Sequence, residues 1–403
     1  MSLTVVFFDN AHWRKRLYPF ASTRPVSNLR IGIQTIEEKW AAALNLPFTH
    51  QTCSPLHQIY PFESQLDDSF LVLQANLIPS LELIDEISAL TPGDALVDQG
   101  RWLAFRTDDQ DWSPAHLLTR FTPIQTSALP VWVDVLEDIF LQNKNQILFD
   151  FNQLTKGKKT QNLDSSNRVF GEWVFVEPGA QVEGATLNSR QGPIYIGKNA
   201  CIEEGSFLKG FVAIGEESRV KTGARLYPGT SIGPGCTVAG EINQTVLWGN
   251  SQKGHEGYLG CSVIGEGCNI GAGSSNSNLK NTWSKVKLFD YHESSFRLTA
   301  ENKCGLFMGD HAMCAINSSF TTGTVVGVGA QIAISKFIPK FVPDFSWMTD
   351  QSLGEYELDR FLEMIERKLR LTGNKKQENI SSIWRYIWEE SKLTRANNQH
   401  LNI

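Results

Sequence analysis

From Ile194 onward this chain keeps a period of six. Ile196, Ile202, Leu208, Ile214, Val220, Leu226, Ile232 and Val238 follow one another at that interval. Four positions after each of the first seven stands a small or β-branched residue: Ala200, Ser206, Val212, Ser218, Ala224, Thr230 and Cys236. Helices repeat near 3.6 and strands near 2, so neither produces this interval. A chain that turns a corner every six residues does. Three short strands then close a triangular coil, coils stack with the aliphatic residues inside, and a small residue fits each crowded corner. Glycines such as Gly197, Gly215 and Gly233 relieve the turns. The pattern predicts a left-handed parallel β-helix of hexapeptide repeats.

The period begins at Val176 and Val182 and is interrupted between Asn188 and Pro193. It shifts phase after Val238 and resumes through Tyr258, Ile264 and Ile270. An excursion runs from about Ser274 to Lys303. The period then returns through Met308, Cys314, Phe320, Val326, Ile332 and Ile338, again with small residues at Ala312, Ser318, Thr324 and Ala330. A coil needs no such breaks for its own stability, so they are the places to look for function.

The flanks read differently. Apolar runs at residues 3–8 (LTVVFF) and 69–75 (SFLVLQA) suit buried strands, and a helix is expected to begin near residues 32–34. Residues 83–106 read as a helix, a turn at Pro92-Gly93, and strands about Gly100; residues 131–152 read as a helix mixed with the apolar run ILFDF. Strands alternating with helices give an α/β, Rossmann-like first domain over 1–165, closed by a polar linker at 155–167. The coil takes 166–340, ended by Pro339 and Pro343. Residues 341–403 supply helices: Leu358, Phe361, Leu362, Ile365 and Leu369 share one apolar face, and Ile380, Ile383, Trp384, Ile387 and Trp388 a second, joined at Gly373-Asn374.

Composition excludes several classes. The net charge is −6 over 403 residues, with no basic run, which argues against a nucleic-acid partner. No apolar segment is long enough to span a bilayer, so no membrane association is expected. The opening MSLTVVFFDN lacks the basic start of a secretory signal. The seven cysteines are odd in number, scattered and without a CxxC pair. They read as reduced thiols of a cytoplasmic protein, not as disulfides or metal ligands.

At the front, Arg16-Leu17-x-Pro19-x-x-x-Thr23-Arg24-Pro25 resembles the entry motif of sugar-1-phosphate nucleotidyltransferases. That resemblance implies a nucleoside triphosphate and a sugar phosphate as substrates, with Mg²⁺ required if the domain is active. This sequence departs from it in three places. Asp9-Asn10-Ala11-His12-Trp13 stands where a phosphate-cradling glycine loop is expected, Val26 where a lysine is, and Asn76 where a metal-binding aspartate is. A neutral amide is a poor Mg²⁺ ligand. Arg16, Arg24 and Arg30, with Arg14 and Lys15, remain candidates for an anion site, or else form a solvated basic surface with Arg30 in an internal ion pair.

The break in the coil reads Gly254-His255-x-x-Tyr258-Leu259-Gly260, then Val263-Ile264-Gly265 and Asn269-Ile270-Gly271-Ala272-Gly273. This order is similar to the acetyltransferase half of the bifunctional enzyme that makes UDP-N-acetylglucosamine. The resemblance implies acetyl-CoA as co-substrate and His255 as general base. It puts Tyr258, Asn269 and Glu241 on the sugar side and Asn278 in the active site. An imidazole suits the proton removal that accompanies attack of an amine or hydroxyl on a thioester. Backbone N–H groups at Gly271, Ala272 and Gly273 are candidate donors to the acyl-CoA or its oxyanion. Asn243 and Tyr227 replace a lysine and an arginine that hold substrate phosphates in the family, Leu279 a tyrosine, and Ile316 a serine.

The combination resembles a bacterial GlmU-like family over about residues 1–340. It implies a small-molecule sugar phosphate or nucleotide sugar as ligand and, since such coils associate in threes, a homotrimer. Three functions stay open: CoA-dependent acyl transfer, sugar-1-phosphate nucleotidyl transfer at the front, or a non-catalytic scaffold that binds a sugar nucleotide.

Overall fold

The computed structural model describes residues 3–11, 13–63, 69–372 and 381–398. His12, the Gly373-Asn374 junction and Ile380 lie outside the described residues. The chain divides into two compact units. The first comprises residues 1–17, 21–29 and 34–138; the second comprises 18–20, 30–33 and 139–403.

The first unit is built on a six-stranded mixed sheet. Its order is Phe48–Gln51, Leu3–Phe8, Ser69–Gln74, Arg101–Thr107, Asp94–Asp98 and Thr122–Gln125. The two apolar runs are its central parallel pair, Val6 beside Val72. The next pairing is antiparallel and carries Phe105 against Val72. Val6, Phe70, Val72, Ala95 and Phe105 form one buried cluster with Trp112 and Leu117. The first helix runs Ile36–Leu44, a little later than the expected start, because Thr35 caps it: the Thr35 hydroxyl accepts from Glu38 N–H while the Glu38 carboxylate accepts from Thr35 N–H. The run ILFDF is not a separate element. It lies inside the helix Leu136–Thr155.

The second unit is the coil. Ile196 pairs in parallel with Ile214, Ile214 with Ile232, Ile202 with Val220, and Leu208 with Leu226, each partner standing one coil on. A single apolar cluster runs from Val176 to Met348 up its interior. The small corner residues are enclosed as the period requires: Ala200, Ala224, Ala312, Thr324 and Ala330 are fully buried. The architecture is the left-handed parallel β-helix class read from the hexads. Gln161 N–H donates to the Val176 carbonyl at 2.9 Å and Asn167 Nδ2 to that of Val182 at 2.7 Å. The polar stretch read as a linker is therefore laid along the first coils.

Two details of the period resolve differently from the sequence reading. After Val238 the coil shortens instead of breaking: Ile232 pairs with Leu247 and Val238 with Lys253, so the stack is continuous. In the next coil the inward residue is Leu259, and Tyr258 faces partly outward. The coil also runs past Pro339 and Pro343. Val326 pairs with Val342 and Ile332 with Met348 before the antiparallel strand Leu353–Glu355 closes the end. Both prolines flank the strand Phe341–Val342, where a missing N–H removes no ladder bond. Phe361, Ile365, Ile383, Trp384 and Ile387 of the C-terminal helices are buried, and the Phe361 ring meets those of Phe345 and Trp384 at 4.9 and 5.3 Å.

Candidate functional site

The shortened coil ends in strand Gln252–Lys253 and turns a corner into strand Tyr258–Glu266. His255 sits on that corner with its side chain exposed. The backbone beneath it is tied from several sides. Lys221 Nζ donates to the Gly254 carbonyl at 3.1 Å, and the Lys253 ammonium donates to the His255 carbonyl. Arg225 Nη2 pairs with Glu256 Oε2 at 3.1 Å, and Gly273 N–H donates to the Glu256 carbonyl at 3.0 Å. Gly257 takes φ +133°, and a Cβ there would stand 2.0 Å from the Ser274 carbonyl oxygen, so only glycine completes the turn.

Lys253 was not singled out from the sequence. It occupies an interior slot, paired with Val238, and is 1 % exposed. Burial draws its ammonium down to about 8, opposed by the neighbouring Glu256 and Cys314. Its signal in the sequence was available: it is a charged residue in line with Val220, Val238 and Ile270.

On the adjoining face, Asn278 Nδ2 donates to Tyr258 Oη at 3.0 Å and lies 3.3 Å from Cys261 Sγ. Asn243 also hydrogen-bonds the phenol. Burial, then the nearby Cys261, raise the Tyr258 phenol above its ordinary range, against the lowering effect of the two amides. It stays protonated at neutral pH. Glu241 pairs in register with Tyr258, and Asn243 with Gly260. The Tyr258 ring folds over its own strand: a Cβ at Gly260 would lie 2.1 Å from Tyr258 Oη. This gives the Tyr-Leu-Gly order a physical reason. Gly260 is fixed in turn by buried Asn276, whose amide accepts from Gly260 N–H at 2.8 Å and donates to its carbonyl at 3.0 Å. Cys261 and Asn276 were likewise missed, since neither residue type stands out in a coil.

The corner above His255 holds residues 271–273. Gly271 N–H donates to the Cys314 carbonyl and Gly273 N–H to that of Glu256. Of the three backbone donors expected there, two are spent on the coil, and Ala272 N–H is the one left. Asn317 N–H reaches the Ala272 carbonyl at 2.7 Å, so Ile316 lies at the same corner one coil on, 66 % exposed. Asn269 is exposed on the face that leads into this corner, between Gln252 and Met313. Leu279 bridges to Lys303 at the mouth of the excursion, which carries the hairpin Lys287–Asp290 and Ser295–Leu298.

The front arginines have separate surroundings. Arg16 is exposed and Arg24 half-buried, both in the first unit. Arg30, in the second unit, donates to the Ile33 carbonyl. Arg14 is buried, 3.6 Å from buried Asp9, and also donates to the carbonyls of Ala21 and Arg24, so it is an internal group. The expected-aspartate position, Asn76, donates to Asp134 Oδ1 at 2.7 Å, and Asp134 is held by Arg101 through contacts of 2.8 and 2.9 Å. Ser27 and Asn28 both donate to Glu37, which also meets His50 Nε2 at 2.9 Å. Burial alone would raise the Glu37 carboxyl, but the bonds from His50, Asn28 and Ser27 outweigh it and hold the carboxyl below its ordinary value. Among the described residues no His, Cys, Asp and Glu side chains cluster as a metal site, and no helix is long and apolar enough to cross a membrane.

Residues 5–159 match the family described as sugar nucleotidyl transferase. The chain is 29 % identical over 202 residues to the bifunctional protein GlmU of Stenotrophomonas maltophilia, spanning 50 % of this chain and 36 % of that protein. It is 30 % identical over 130 residues to the bifunctional protein GlmU of Methanocaldococcus jannaschii, spanning 32 % and 29 %. The chain thus covers about a third of the length of these relatives. Among solved structures, the UDP-N-acetylglucosamine acyltransferase of Francisella novicida is 16 % identical, with a TM-score of 0.20 over 55 % of this chain and 92 % of that one. The N-acyltransferase AntD of Bacillus cereus, solved with dTDP and 3-hydroxybutyryl-CoA, is 13 % identical, with a TM-score of 0.25 over 45 % and 92 %. The chain is similar to the GlmU proteins and carries, in residues 5–159, a segment matched by the sugar nucleotidyl transferase family.

Proposed function

We propose that the coil is a CoA-dependent acyltransferase that acylates a phosphorylated or nucleotide-linked sugar. The observation that carries this reading is the corner at His255: an exposed imidazole on a turn fixed from several sides, beside the hydrogen-bonded Tyr258–Asn278 pair. In this reading His255 takes the proton from the sugar nucleophile as it attacks the thioester carbonyl. The thiol of CoA leaves, and the acyl group stays on the sugar. In this reading Ala272 N–H and the protonated Tyr258 phenol, which Asn278 holds in place, are suited to orienting the acceptor and the developing oxyanion. Asn243 and Tyr227, both neutral, hold the positions of a phosphate clamp. In this reading the acceptor's anionic group is therefore bound weakly or by other residues.

The family match over residues 5–159 favours a second reading, nucleotidyl transfer in the first unit. Against it stands Asn76, whose amide is committed to Asp134. Calorimetric titration with acetyl-CoA and, separately, with nucleoside triphosphate plus Mg²⁺ distinguishes the two. Saturable acetyl-CoA binding supports the coil reading. Binding of only the triphosphate, dependent on Mg²⁺, supports the front reading and sinks the first.

A further inference from the structure

We propose that Lys253 is a positioning residue for His255: its buried ammonium anchors the His255 carbonyl and so sets where the imidazole stands. The inference rests on the acyltransferase reading only for its consequence on catalysis; the anchoring itself concerns this chain alone.

If packing were its sole purpose, the slot would hold an apolar side chain. The neighbouring levels of the same stack are Val220, Val238 and Ile270, all buried. An aliphatic residue would fill the Lys253 level without burying a charge, and a buried ammonium is costly unless it is hydrogen-bonded. Lys253 spends its charge on one contact, the carbonyl of the residue two positions on. Lys221, from two coils below, does the same to the preceding carbonyl, that of Gly254. Arg225 holds the Glu256 carboxylate. Three cations, Lys221 and Arg225 from one coil and Lys253 from the second coil above it, therefore converge on residues 254–256. Charge-assisted bonds of this kind are short and directional. Lys253 and Lys221 hold backbone carbonyls, Arg225 meets the exposed Glu256 carboxylate, and the imidazole is left to solvent. Glu256 and Cys314 are the titratable groups that act on Lys253.

A group that only supported the fold would lower stability when replaced. Lys253→Met removes a buried charge and keeps the apolar stem, so its melting midpoint should equal or exceed that of the wild type. The His255 main chain, and with it the surroundings of the imidazole, should nonetheless lose its single placement. Histidine-selective NMR reads this directly, with the His255 resonance identified by its loss in His255→Gln. One sharp signal is expected in the wild type and a broadened or split one in Lys253→Met. In an acyl-transfer assay kcat should fall about 10²-fold, the size of effect that a misplacement of about 1 Å produces, with KM changed less than about threefold. Lys253→Gln, which keeps an N–H donor one atom short, should fall between the two and serves if the Met variant does not fold. An unchanged His255 signal in both variants overturns the proposal, as does a lowered melting midpoint with the signal intact. If the signal broadens but the wild type transfers no acyl group, the positioning role stands and the acyltransferase reading falls.

Discussion

Gly260→Ala should evict the Tyr258 phenol from its place and leave the coil standing. A Cβ at residue 260 would lie 2.1 Å from Tyr258 Oη and 2.5 Å from Cζ, while ordinary van der Waals contact begins near 3.4 Å. The ring must therefore swing by more than 1 Å. It can do so because it is the far end of a side chain on a half-open face. The backbone need not move: Gly260 is absent from the positive-φ residues, and its N–H and carbonyl remain bonded to Asn276. What is lost is the 3.0 Å bond from Asn278 to Tyr258 and the bond between the phenol and Asn243. A neutral hydrogen bond contributes about 0.5–1.5 kcal/mol, so chemical denaturation should show a stability loss of about 1–3 kcal/mol. Activity should suffer more, because a 1 Å misplacement near the reacting groups is worth about 10²-fold in rate. Tyr258→Phe separates the parts: it removes the hydroxyl without the clash. If the phenol orients the acceptor, Tyr258→Phe and Gly260→Ala should both lower kcat/KM, and Gly260→Ala at least as much. Wild-type kcat/KM in Gly260→Ala, measured as CoA release, would refute the assignment of Tyr258 to the site.

Further outcomes follow from other parts of the molecule. Glu37 is held below its ordinary pKa, so its contribution is fully present above about pH 4.5 and is lost as pH falls through the lower folded value; acid unfolding of Glu37→Gln should show a shallower slope there. Lys253 titrates near 8 in the fold against 10.5 when unfolded. The unfolded chain binds the extra proton between those values, so stability should rise from pH 8 to 10.5 and this rise should vanish in Lys253→Met. Phe361→Ala removes a fully buried ring from the helix Leu358–Thr372. A loss of about 3–5 kcal/mol in helix docking is expected, seen as faster amide exchange across that helix.

The coil was legible because the hexad leaves little freedom: an inward aliphatic every six residues and a small residue at each corner fix register without reference to anything distant. The same rule explains where reading failed. Tyr258 continued the numerical period back from Ile264, yet Leu259 goes inside, six residues after Lys253 and only five before Ile264. Pro339 and Pro343 looked like stops, but at corners they interrupt nothing. Lys253 escaped notice because a lysine in an apolar register reads as an error of phase, and only its contact with the His255 carbonyl gives it a purpose. At the front, the strands were plain from LTVVFF and SFLVLQ. The surroundings of Arg14 and of Ser27, Asn28 and Glu37 were not, because a buried ion pair and an exposed anion site use the same residue types.

The central claim is that His255 drives acyl transfer on the coil. Its most direct test is CoA release from acetyl-CoA by the wild-type protein and by His255→Ala, measured across amino-sugar phosphates and amino-sugar nucleotides. The account predicts turnover with at least one acceptor and a loss of about 10²- to 10⁴-fold in His255→Ala, with acetyl-CoA binding retained. Equal turnover in the two proteins, or no CoA release with any acceptor despite intact folding, would contradict it.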